Sequence, residues 1–542
     1  MPTVREATYD LLRRLGMTVI FGNPGSTELP FLRDMPSDFR YILGLHERVA
    51  AGMALGYSLG THRPVFVNLH SIASSGNGLS TLVDAWYGHV PLVVTTGQAD
   101  RRHILAEPFL VSRAAETVKP YVKWSCEPAR AEDVPAAIAH AYHLASQPPQ
   151  GPVFLSIPMD DWTHSCQPVE PRSVHAAALP HLAALDDVVR ALDACSNPAL
   201  VAGPQIEEDS AWQETIALAE RLNAHVYSSP IAPRWTFPRT HRLFRGGLVP
   251  AQQPLADQLA PYDTVVVLGA QVFLYYAYVP GHPVRPGTRL FQITNSPQQA
   301  ASALAGTSIV GNIAAAARYL SERIKPRTSA SPSPREVPNE VPPDPPASHP
   351  ITPAFLFSFL NKLKPHDAII CEECPSSKGD LDRYLTTDQP RSFYSVPNGV
   401  LGFGLPAAVG LQLANPGRRV ICPVGDGSIQ YSIQALWSAA QLRLPVLFIV
   451  LRNGDYSALK SFCDFTGVGR NVHGMDLPGI DIVKIAQGYG LSASEVDRPE
   501  DLEPALRRAL SSSAPSLLSV NILPGSPRTM GMDRSVHPPI YS

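Results

Sequence analysis

The strongest constraint on the fold of this chain is a pair of apolar runs that each end in a polar turn. The first run begins at Val420 and stops at Gly425-Asp426-Gly427, and the second begins at Val446 and stops at Asn453. The amphipathic segment between them, Ile429 to Leu442, predicts a helix. This order predicts a β-α-β unit with parallel strands, so both turns should emerge at the carboxyl edge of a sheet, where open α/β sheets bind ligands.

The two turns carry the residue types of a site for a phosphate and a metal ion. Glycines flank Asp426 and let the backbone approach a phosphate closely, and the helix expected to follow from Ser428 would offer unpaired N–H groups to an anion. The Asp426 carboxylate, the Asn453 amide oxygen and a backbone carbonyl suit a hard cation such as magnesium. A lone Gly-Asp-Gly is usually only a turn, but here the whole strand, helix and strand order accompanies it.

Alternating strand and helix patterns recur along all 542 residues, which are too many for one ordinary core. We therefore predict an α/β protein with three doubly wound domains, each around a central parallel sheet. A Pro- and Ser-rich stretch without apolar periodicity predicts a linker. The expected ranges are 1–182 for the first domain, 183–325 for a middle domain that we expect to be structural, 326–350 for the linker, 351–525 for the third domain and 526–542 for a C-terminal tail.

Composition excludes several classes of function. Hydrophobic residues make up 44% of the chain, charged residues 17%, and the formal net charge is −3, so the basic excess that binds nucleic acid or an anionic membrane is missing. No apolar run has the length of a signal core or a membrane span, and the seven scattered cysteines form no disulfide framework. Cys371-Glu-Glu-Cys374 lacks the second ligand pair of a zinc site. We expect a cytoplasmic protein that binds neither nucleic acid nor membrane.

Further motifs lie on predicted strand ends along most of the chain. Their positions are Phe21-Gly-Asn-Pro-Gly-Ser-Thr-Glu-Leu-Pro30, Glu47, Asn68-Leu-His-Ser71, Gly76-Asn77 and Leu401 to Gly410. Together they resemble the benzoylformate decarboxylases, which belong to the superfamily of thiamine diphosphate-dependent 2-keto acid decarboxylases and acetolactate synthases. The Gly-Asp-Gly turn resembles the thiamine diphosphate motif of that superfamily, and 25 residues separate Gly427 from Asn453.

The resemblance implies thiamine diphosphate and Mg²⁺ as cofactors. FAD is not expected, because Gly269-Ala-Gln in the middle domain is not a Rossmann loop. By resemblance the first domain binds the pyrimidine ring and the third binds the diphosphate and the metal. The implied cofactor residues are Pro24, Gly25, Glu47, Asn77, Ser376, Gly399, Leu401, Gly425, Asp426, Gly427, Ser428, Asn453 and Tyr456. The implied metal ligands are Asp426, Asn453 and Asp455.

Some of these residues acquire specific roles from the resemblance. Glu47 corresponds to the glutamate that protonates N1′ of the aminopyrimidine, although a carboxylate at a helix N-terminus also has an ordinary structural explanation. Leu401 corresponds to the apolar residue that holds thiamine in a bent shape, and the Gly399 carbonyl to the group that binds its amine. Ser376 is the expected hydroxyl contact of the diphosphate.

The substrate side of the site departs from the family pattern. Ser26 and His70 match positions that bind the substrate carboxylate and transfer protons. Tyr276, however, stands where the family has a second catalytic histidine, and a tyrosine hydroxyl is ordinarily a poor proton shuttle at neutral pH. Lys378 lies near a pocket position that usually carries a small residue, which argues against a purely aromatic substrate. Ala458, Leu459 and Phe462 are the other expected pocket residues, with ordinary helix packing as the alternative for the last two.

The preferred interpretation is a decarboxylase that converts a benzoylformate-like 2-keto acid to an aldehyde and carbon dioxide. A carboligase or lyase that forms or cleaves 2-hydroxyketones is an alternative, because Tyr276 would slow the final protonation. An inactive cofactor-binding homologue is a second alternative, against which the retained Glu47, Asp426 and Asn453 argue. The resemblance also implies a homotetramer, a dimer of dimers in which Glu47 of one subunit faces Asp426 of another.

Overall fold

The computed structural model describes residues 1–276, 278–327 and 344–525. It contains three six-stranded sheets, and all paired strands within each sheet run parallel. Helices flank each sheet, so most central strands are buried on both faces, as is typical of parallel sheets. The predicted fold class, three α/β domains with central parallel sheets, is confirmed. Most of the predicted linker and all of the predicted tail lie outside the described residues.

The first domain has the strand order β2-β1-β3-β4-β6-β5. Its strands are β1 Val19–Asn23, β2 Arg40–Leu43, β3 Val65–Leu69, β4 Leu92–Gln98, β5 Ser125–Cys126 and β6 Val153–Pro158. Its helices are α1 Val4–Leu15, α2 Leu29–Leu32, α3 Glu47–Thr61, α4 Ser71–Asn77, α5 Leu79–Tyr87, α6 Ala114–Thr117 and α7 Val134–Ser146.

The middle domain has the strand order β12-β11-β10-β7-β8-β9. Its strands are β7 Pro198–Ala202, β8 His225–Ser228, β9 Phe244–Gly247, β10 Thr264–Leu268, β11 Arg289–Thr294 and β12 Thr307–Val310. Its helices are α8 Leu182–Ala194, α9 Gln205–Glu208, α10 Trp212–Leu222, α11 Gln252–Leu259, α12 Pro297–Ala301 and α13 Ile313–Arg323.

The third domain has the strand order β14-β13-β15-β16-β18-β17. Its strands are β13 Ile369–Glu372, β14 Phe393–Ser395, β15 Val420–Gly425, β16 Leu447–Arg452, β17 Ser492–Val496 and β18 Ser516–Asn521. Its helices are α14 Pro353–Leu363, α15 Lys378–Tyr384, α16 Gly404–Ala414, α17 Ala435–Gln441, α18 Ser457–Thr466, α19 Ile482–Gly488 and α20 Pro499–Ser511.

The β-α-β unit predicted from the two apolar runs is present as β15, α17 and β16. Strands β15 and β16 pair in parallel, with Gly425 opposite Leu451, so their terminal turns lie side by side. The predicted helix over 429–442 is too long. Residues Ser428–Tyr431 form a 3₁₀ turn, and the α-helix occupies only Ala435–Gln441. Tighter 3₁₀ turns are common next to helix N-termini.

Helices α3 and α16 join the first and third domains through an unusually close contact. A Cβ atom at Gly56 would lie 2.1 Å from the carbonyl oxygen of Ala407, and one at Gly410 would lie 2.0 Å from that of Met53. Only glycine permits this backbone approach. The two helices therefore hold the functional edges of the first and third sheets in a fixed relation.

Among the described residues, no helix combines the length and the apolar character needed to cross a membrane.

Candidate active site

Asp426 lies directly after β15 and is 5% exposed. Its Oδ1 accepts a hydrogen bond from the backbone N–H of Gly427 at 2.9 Å, and Oδ2 accepts from the N–H groups of Asn453 and Gly454 at 3.1 and 2.7 Å. Burial raises the pKa of this carboxyl, while the three N–H donors favour its ionised form. The structure thus joins the two predicted turns through one side chain.

The side-chain oxygens of Asn453 and Asp455, close to Asp426, both accept hydrogen bonds. Oδ1 of Asn453 accepts from the N–H of Asp455 at 3.2 Å. The carboxylate of Asp455 accepts a hydrogen bond from Ser457 and lies 2.7 Å from Nζ of Lys460, so this carboxylate is already paired. Its backbone carbonyl is the group that remains for a metal ion. Together with the Asp426 carboxylate and the Asn453 amide oxygen it forms an all-oxygen donor set, which suits Mg²⁺ completed by phosphate oxygens. No cluster of three His, Cys, Asp or Glu side chains suited to a metal occurs in the described part of the chain, and this site requires none.

The turn also has the tight backbone packing expected of a phosphate-binding loop. A Cβ atom at Gly427 would lie 2.5 Å from the ring of Tyr456, so a larger residue would displace that ring. Ser428 is buried behind the turn. The hydroxyl of Ser376 accepts a hydrogen bond at 3.1 Å from the N–H of Ala458, in the first turn of α18. Ser376, Tyr456 and Ala458 therefore lie near one another on the side of the turn predicted for the diphosphate.

Glu47 begins α3, after the short loop that follows β2, and is 7% exposed. Its Oε2 accepts a hydrogen bond from Nδ2 of Asn77 at 2.9 Å, so the structure brings together two residues predicted for cofactor binding. Asn77 is the last residue of α4, 30 positions along the chain. The side chain of His46 caps α3 by accepting from the N–H of Arg48, which leaves the Glu47 carboxylate free of the capping role.

The loop after β1 places Gly25 against the ring of His70. A Cβ atom at Gly25 would lie 2.1 Å from Nδ1 of His70, so only glycine fits there. Glu28 was not predicted as a site residue, yet its buried carboxylate lies 2.9 Å from the same Nδ1 and accepts from the N–H groups of Gly25 and Gly97. The sequence signal for Glu28 is its position three residues after Gly25, where a carboxylate reaches back to the N–H at the start of a helical turn. Ser26 is exposed in this turn, next to Pro24.

The loop before α16 holds Gly399 and Leu401 and is fixed by two residues that sequence reasoning missed. Arg48 donates hydrogen bonds to the carbonyls of Val400 and Leu401. Glu373, fully buried at the end of β13, accepts from the N–H groups of Gly402 and Gly404 at 2.6 Å each, and burial raises its pKa to about 7. In the sequence, Arg48 directly follows the predicted site residue Glu47, and Glu373 directly follows strand β13. These positions are the signal that could have identified the two residues.

A cavity of about 220 Å³ lies between the middle and third domains. The predicted site residues in its wall are Tyr276, Lys378, Gly399, Leu401 and Ala458. Phe462 contacts Tyr276, with 5.5 Å between the ring centroids, and Leu459 is 48% exposed. Four predicted site residues are absent from the described part of the cavity wall, namely Ser26, Glu47, His70 and Asn77. These four lie at the carboxyl edge of the first sheet.

Comparison with known proteins accounts for all three domains. The thiamine pyrophosphate enzyme family models match the chain in order, the N-terminal TPP binding domain over residues 2–117, the central domain over 185–320 and the C-terminal TPP binding domain over 376–520. Benzoylformate decarboxylase of Pseudomonas aeruginosa is 44% identical over 96% of this chain and 99% of its own length. Acetolactate synthase large subunit of Haemophilus influenzae is 26% identical over 93% of this chain and 92% of its own.

Solved structures agree with these relatives. The thiamine diphosphate-dependent 4-hydroxybenzoylformate decarboxylase of Rhodococcus jostii RHA1 superimposes with a TM-score of 0.92 at 42% identity, over 96% of this chain and 99% of that one. Benzoylformate decarboxylase from Polynucleobacter necessarius gives a TM-score of 0.92 at 38% identity, over 97% and 99% of the two chains. The chain therefore belongs to the thiamine pyrophosphate enzymes, as a benzoylformate decarboxylase-like member of that family.

Proposed function

We propose that this protein catalyses the thiamine diphosphate-dependent, non-oxidative decarboxylation of an aromatic 2-keto acid of the benzoylformate type to an aldehyde and carbon dioxide. The observation that carries the proposal is the cavity in which Tyr276 and Lys378 face the loop of Gly399 and Leu401. It supplies a largely apolar space beside the residues expected to hold the cofactor. Two relatives that are similar over nearly the whole chain, the decarboxylases of Pseudomonas aeruginosa and Rhodococcus jostii, act on substrates of this type, as their names state.

The residues at the end of β15 fit the two expected cofactors. Asp426, Asn453 and the Asp455 carbonyl would hold Mg²⁺, and Gly427, Ser428 and Ser376 would surround the diphosphate. When bound, thiamine diphosphate would supply a nucleophilic carbon for addition to the keto carbon, and its thiazolium ring would accept the electron pair that stays behind when carbon dioxide leaves.

Glu47 is proposed to hold a proton at N1′ of the aminopyrimidine. Its burial and its hydrogen bond from Asn77 fix the carboxyl in one orientation, as a proton-exchanging group requires. Leu401 would keep the two rings of the cofactor bent, and the Gly399 carbonyl would accept from the amine. Arg48 and Glu373 act through this loop as positioning residues, because they bind its carbonyl and N–H groups.

His70 and Ser26 are proposed to act on the substrate itself. The Glu28 carboxylate accepts hydrogen bonds from two N–H groups and from the Thr27 hydroxyl, so the nearby Nδ1 of His70 is assigned the proton. Nε2 is then left as the proton acceptor. The exposed Ser26 hydroxyl would hydrogen-bond the substrate carboxylate.

The division of these residues supports an assembly in which two subunits complete each site. Ser26, Glu47 and His70 lie on the first domain, whereas the cavity is formed by the other two domains of the chain. We therefore propose a homotetramer built as a dimer of dimers, in which the first domain of one subunit faces Asp426 of another. A cytoplasmic location is proposed on composition and on the free thiols of all seven cysteines.

The proposal is tested by supplying purified protein with thiamine diphosphate, Mg²⁺ and benzoylformate and measuring carbon dioxide and aldehyde. We expect stoichiometric release of both. A Glu47→Gln variant should lower kcat by about 10²-fold or more, because proton exchange at N1′ is lost. Glu132→Gln, a matched change at an exposed glutamate, should leave kcat unchanged. Absence of carbon dioxide from every aromatic and aliphatic 2-keto acid tried would refute the proposal.

Carboligation is a second candidate, favoured by the position of Tyr276 in the cavity wall. The aldehyde is released only after protonation, and a tyrosine at this place would make that step slower than a histidine does. The activated carbon could then react with an aldehyde to form a 2-hydroxyketone. A mixed feed of benzoylformate and an acceptor aldehyde distinguishes the outcomes, and a product mixture free of hydroxyketone would exclude this candidate.

A further inference from the structure

A buried polar cluster, formed by Glu372, Lys378 and Ser395, lies in the wall of the cavity. Glu372 and Ser395 end the neighbouring strands β13 and β14, where they are register partners, and Lys378 is the first residue of α15. The three residues are 2%, 8% and 8% exposed. The Ser395 hydroxyl donates a hydrogen bond to Oε1 of Glu372. Three polar side chains therefore converge in a wall whose other polar side chains are those of Glu373 and Tyr276.

The ammonium group of Lys378 is held in one orientation. It donates a hydrogen bond to Asp382, one turn further along α15. It also lies 4.7 Å from the ring centroid of Phe393, which stacks on Trp235 at 3.8 Å. A cation near an aromatic ring is attracted by the ring's electrons. The ammonium is thus fixed beside Glu372 rather than free to sample the cavity.

The cluster keeps unused hydrogen-bonding capacity. Nζ of Lys378 lies 3.7 Å from Oε1 of Glu372, which is too far for a direct hydrogen bond. An ammonium has three donors and a carboxylate about four acceptor positions, whereas Glu372 accepts here from Ser395 and from the N–H of Cys374. A donor and an acceptor therefore remain side by side.

The remainder of the cavity wall suits a flat apolar group. Its apolar members include Ile231, Ala232, Pro250, Val396, Leu401 and Ala458. The Ile231 and Ala232 wall is fixed to the third domain, because Arg234 forms a backbone bridge to Tyr394 at the neighbouring position on β14. An aromatic ring would fill this space, with its polar substituent directed to the cluster.

We propose that the Glu372, Lys378 and Ser395 cluster recognises a ring hydroxyl, so that the substrate is a hydroxylated aromatic 2-keto acid such as 4-hydroxybenzoylformate. The hydroxyl would accept a hydrogen bond from Lys378 and donate one to Glu372. It lies on the ring away from the keto group, since the reacting carbon must be near Gly399 and Leu401. This inference rests on the proposed decarboxylation.

Formal charge selects a hydroxyl over an anionic substituent. Lys378 contributes one positive charge, and Glu372 and Asp382 contribute two negative charges within hydrogen-bonding reach or nearly so. A second carboxylate on the substrate would therefore meet net repulsion. A neutral phenol, which both donates and accepts, pairs with the cluster without adding charge.

The test measures kcat/KM of the holoenzyme for benzoylformate, 4-hydroxybenzoylformate and 4-methoxybenzoylformate, the last of which cannot donate. We expect the hydroxylated substrate to be preferred over benzoylformate by at least about tenfold, because benzoylformate leaves buried polar groups without a ligand partner. Lys378→Met should reduce that preference to near unity, and Ser395→Ala should weaken it. Lys362→Met, at an exposed lysine paired with Asp344 in the same domain, should preserve it.

The outcomes separate this inference from the function on which it rests. Decarboxylation of benzoylformate without any preference for a ring hydroxyl would overturn the inference and leave the proposed function intact. Equal preference for the methoxy and hydroxy substrates would also overturn it, since donation to Glu372 would then be irrelevant. No decarboxylation of any of the three would overturn both. If Lys378→Met does not fold, the ratios of kcat/KM for the three substrates in the wild type and in Ser395→Ala test the inference.

Discussion

The carboxylate of Glu28 lies 2.9 Å from Nδ1 of His70, although 42 residues separate the two in the chain. This pair orients the imidazole, and it predicts that His70 matters for turnover rather than for cofactor binding. His70→Ala should lower kcat by about 10²-fold, the lower range for a positioned proton-transfer group, with unchanged affinity for thiamine diphosphate. His140→Ala, on the surface of α7, is the matched control. Full kcat in His70→Ala would contradict the assignment.

Asp426→Asn should weaken the combined binding of thiamine diphosphate and Mg²⁺ by at least about tenfold, since a neutral amide replaces the charged ligand. A ligand that binds only the folded protein raises Tm. We therefore expect the cofactors to raise Tm of the variant by less than that of the wild type at the same concentrations, measured by calorimetry. Asp187→Asn, at an exposed aspartate, should retain the full shift. An equal shift in Asp426→Asn would remove Asp426 from the ligand set.

Gly427→Ala should also reduce cofactor affinity, for a steric reason. The added Cβ would lie 2.5 Å from the ring of Tyr456, so the ring or the turn must move. Overpacking of this kind costs about 1–3 kcal/mol of stability. Gly417→Ala places its Cβ in open space and should change stability by less than about 0.5 kcal/mol. Thermal unfolding and cofactor titration of both variants provide the measurement. Equal stability and equal cofactor affinity of the two variants would count against the packing argument.

Tyr276→His should shift the product mixture from hydroxyketone towards free aldehyde by several-fold, because imidazole transfers protons near neutral pH more readily than a phenol. Tyr276 lies in the cavity wall and contacts Phe462, so the histidine would face the same space. Tyr276→Phe keeps the ring without the hydroxyl and serves as the control for shape. Chromatography of both products after a mixed feed measures the ratio. An unchanged ratio in Tyr276→His would show that this position does not control the outcome.

His62→Asn should make the protein less sensitive to acid. Burial, helped by the positive charges of Arg391 and Arg234, lowers the pKa of His62 from 6.5 to about 3. Below pH 6.5 the unfolded chain therefore binds a proton at His62, whereas the folded chain does not. The free energy of unfolding consequently decreases as the pH falls from 6.5 towards 3. At pH 5 the loss is about 2 kcal/mol.

Asparagine tolerates the left-handed backbone of position 62, where φ is 56°. We thus expect Tm of the wild type to fall further than that of His62→Asn between pH 7.5 and pH 5, in buffers of equal ionic strength. Parallel decreases in the two proteins would be inconsistent with a half-buried His62 whose pKa is lowered in the folded state.

The sequence predicted the parts of the site that are local. Asp426 and Asn453 end adjacent strands of one β-α-β unit, so their meeting follows from topology alone. Contacts between distant segments were not accessible in this way. The pairing of Glu28 with His70 requires β1 and β3 to be neighbours, and the cluster of Glu372, Lys378 and Ser395 requires the register of β13 with β14. Lys378 was predicted as a pocket residue, but its partners cannot be read from spacing.

The glycine contact between α3 and α16 has a consequence for changing the substrate range of this protein. A Cβ at Gly56 would lie 2.1 Å from the carbonyl oxygen of Ala407, so any larger residue there would push the two helices apart and disturb the relation between the first and third sheets. The wall at Ile231, Ala232 and Pro250 comes instead from loops of the middle domain. Mutant libraries for larger substrates should therefore vary the residues of these loops. Variants at the glycine contact between α3 and α16 should fail to fold and so contribute no activity.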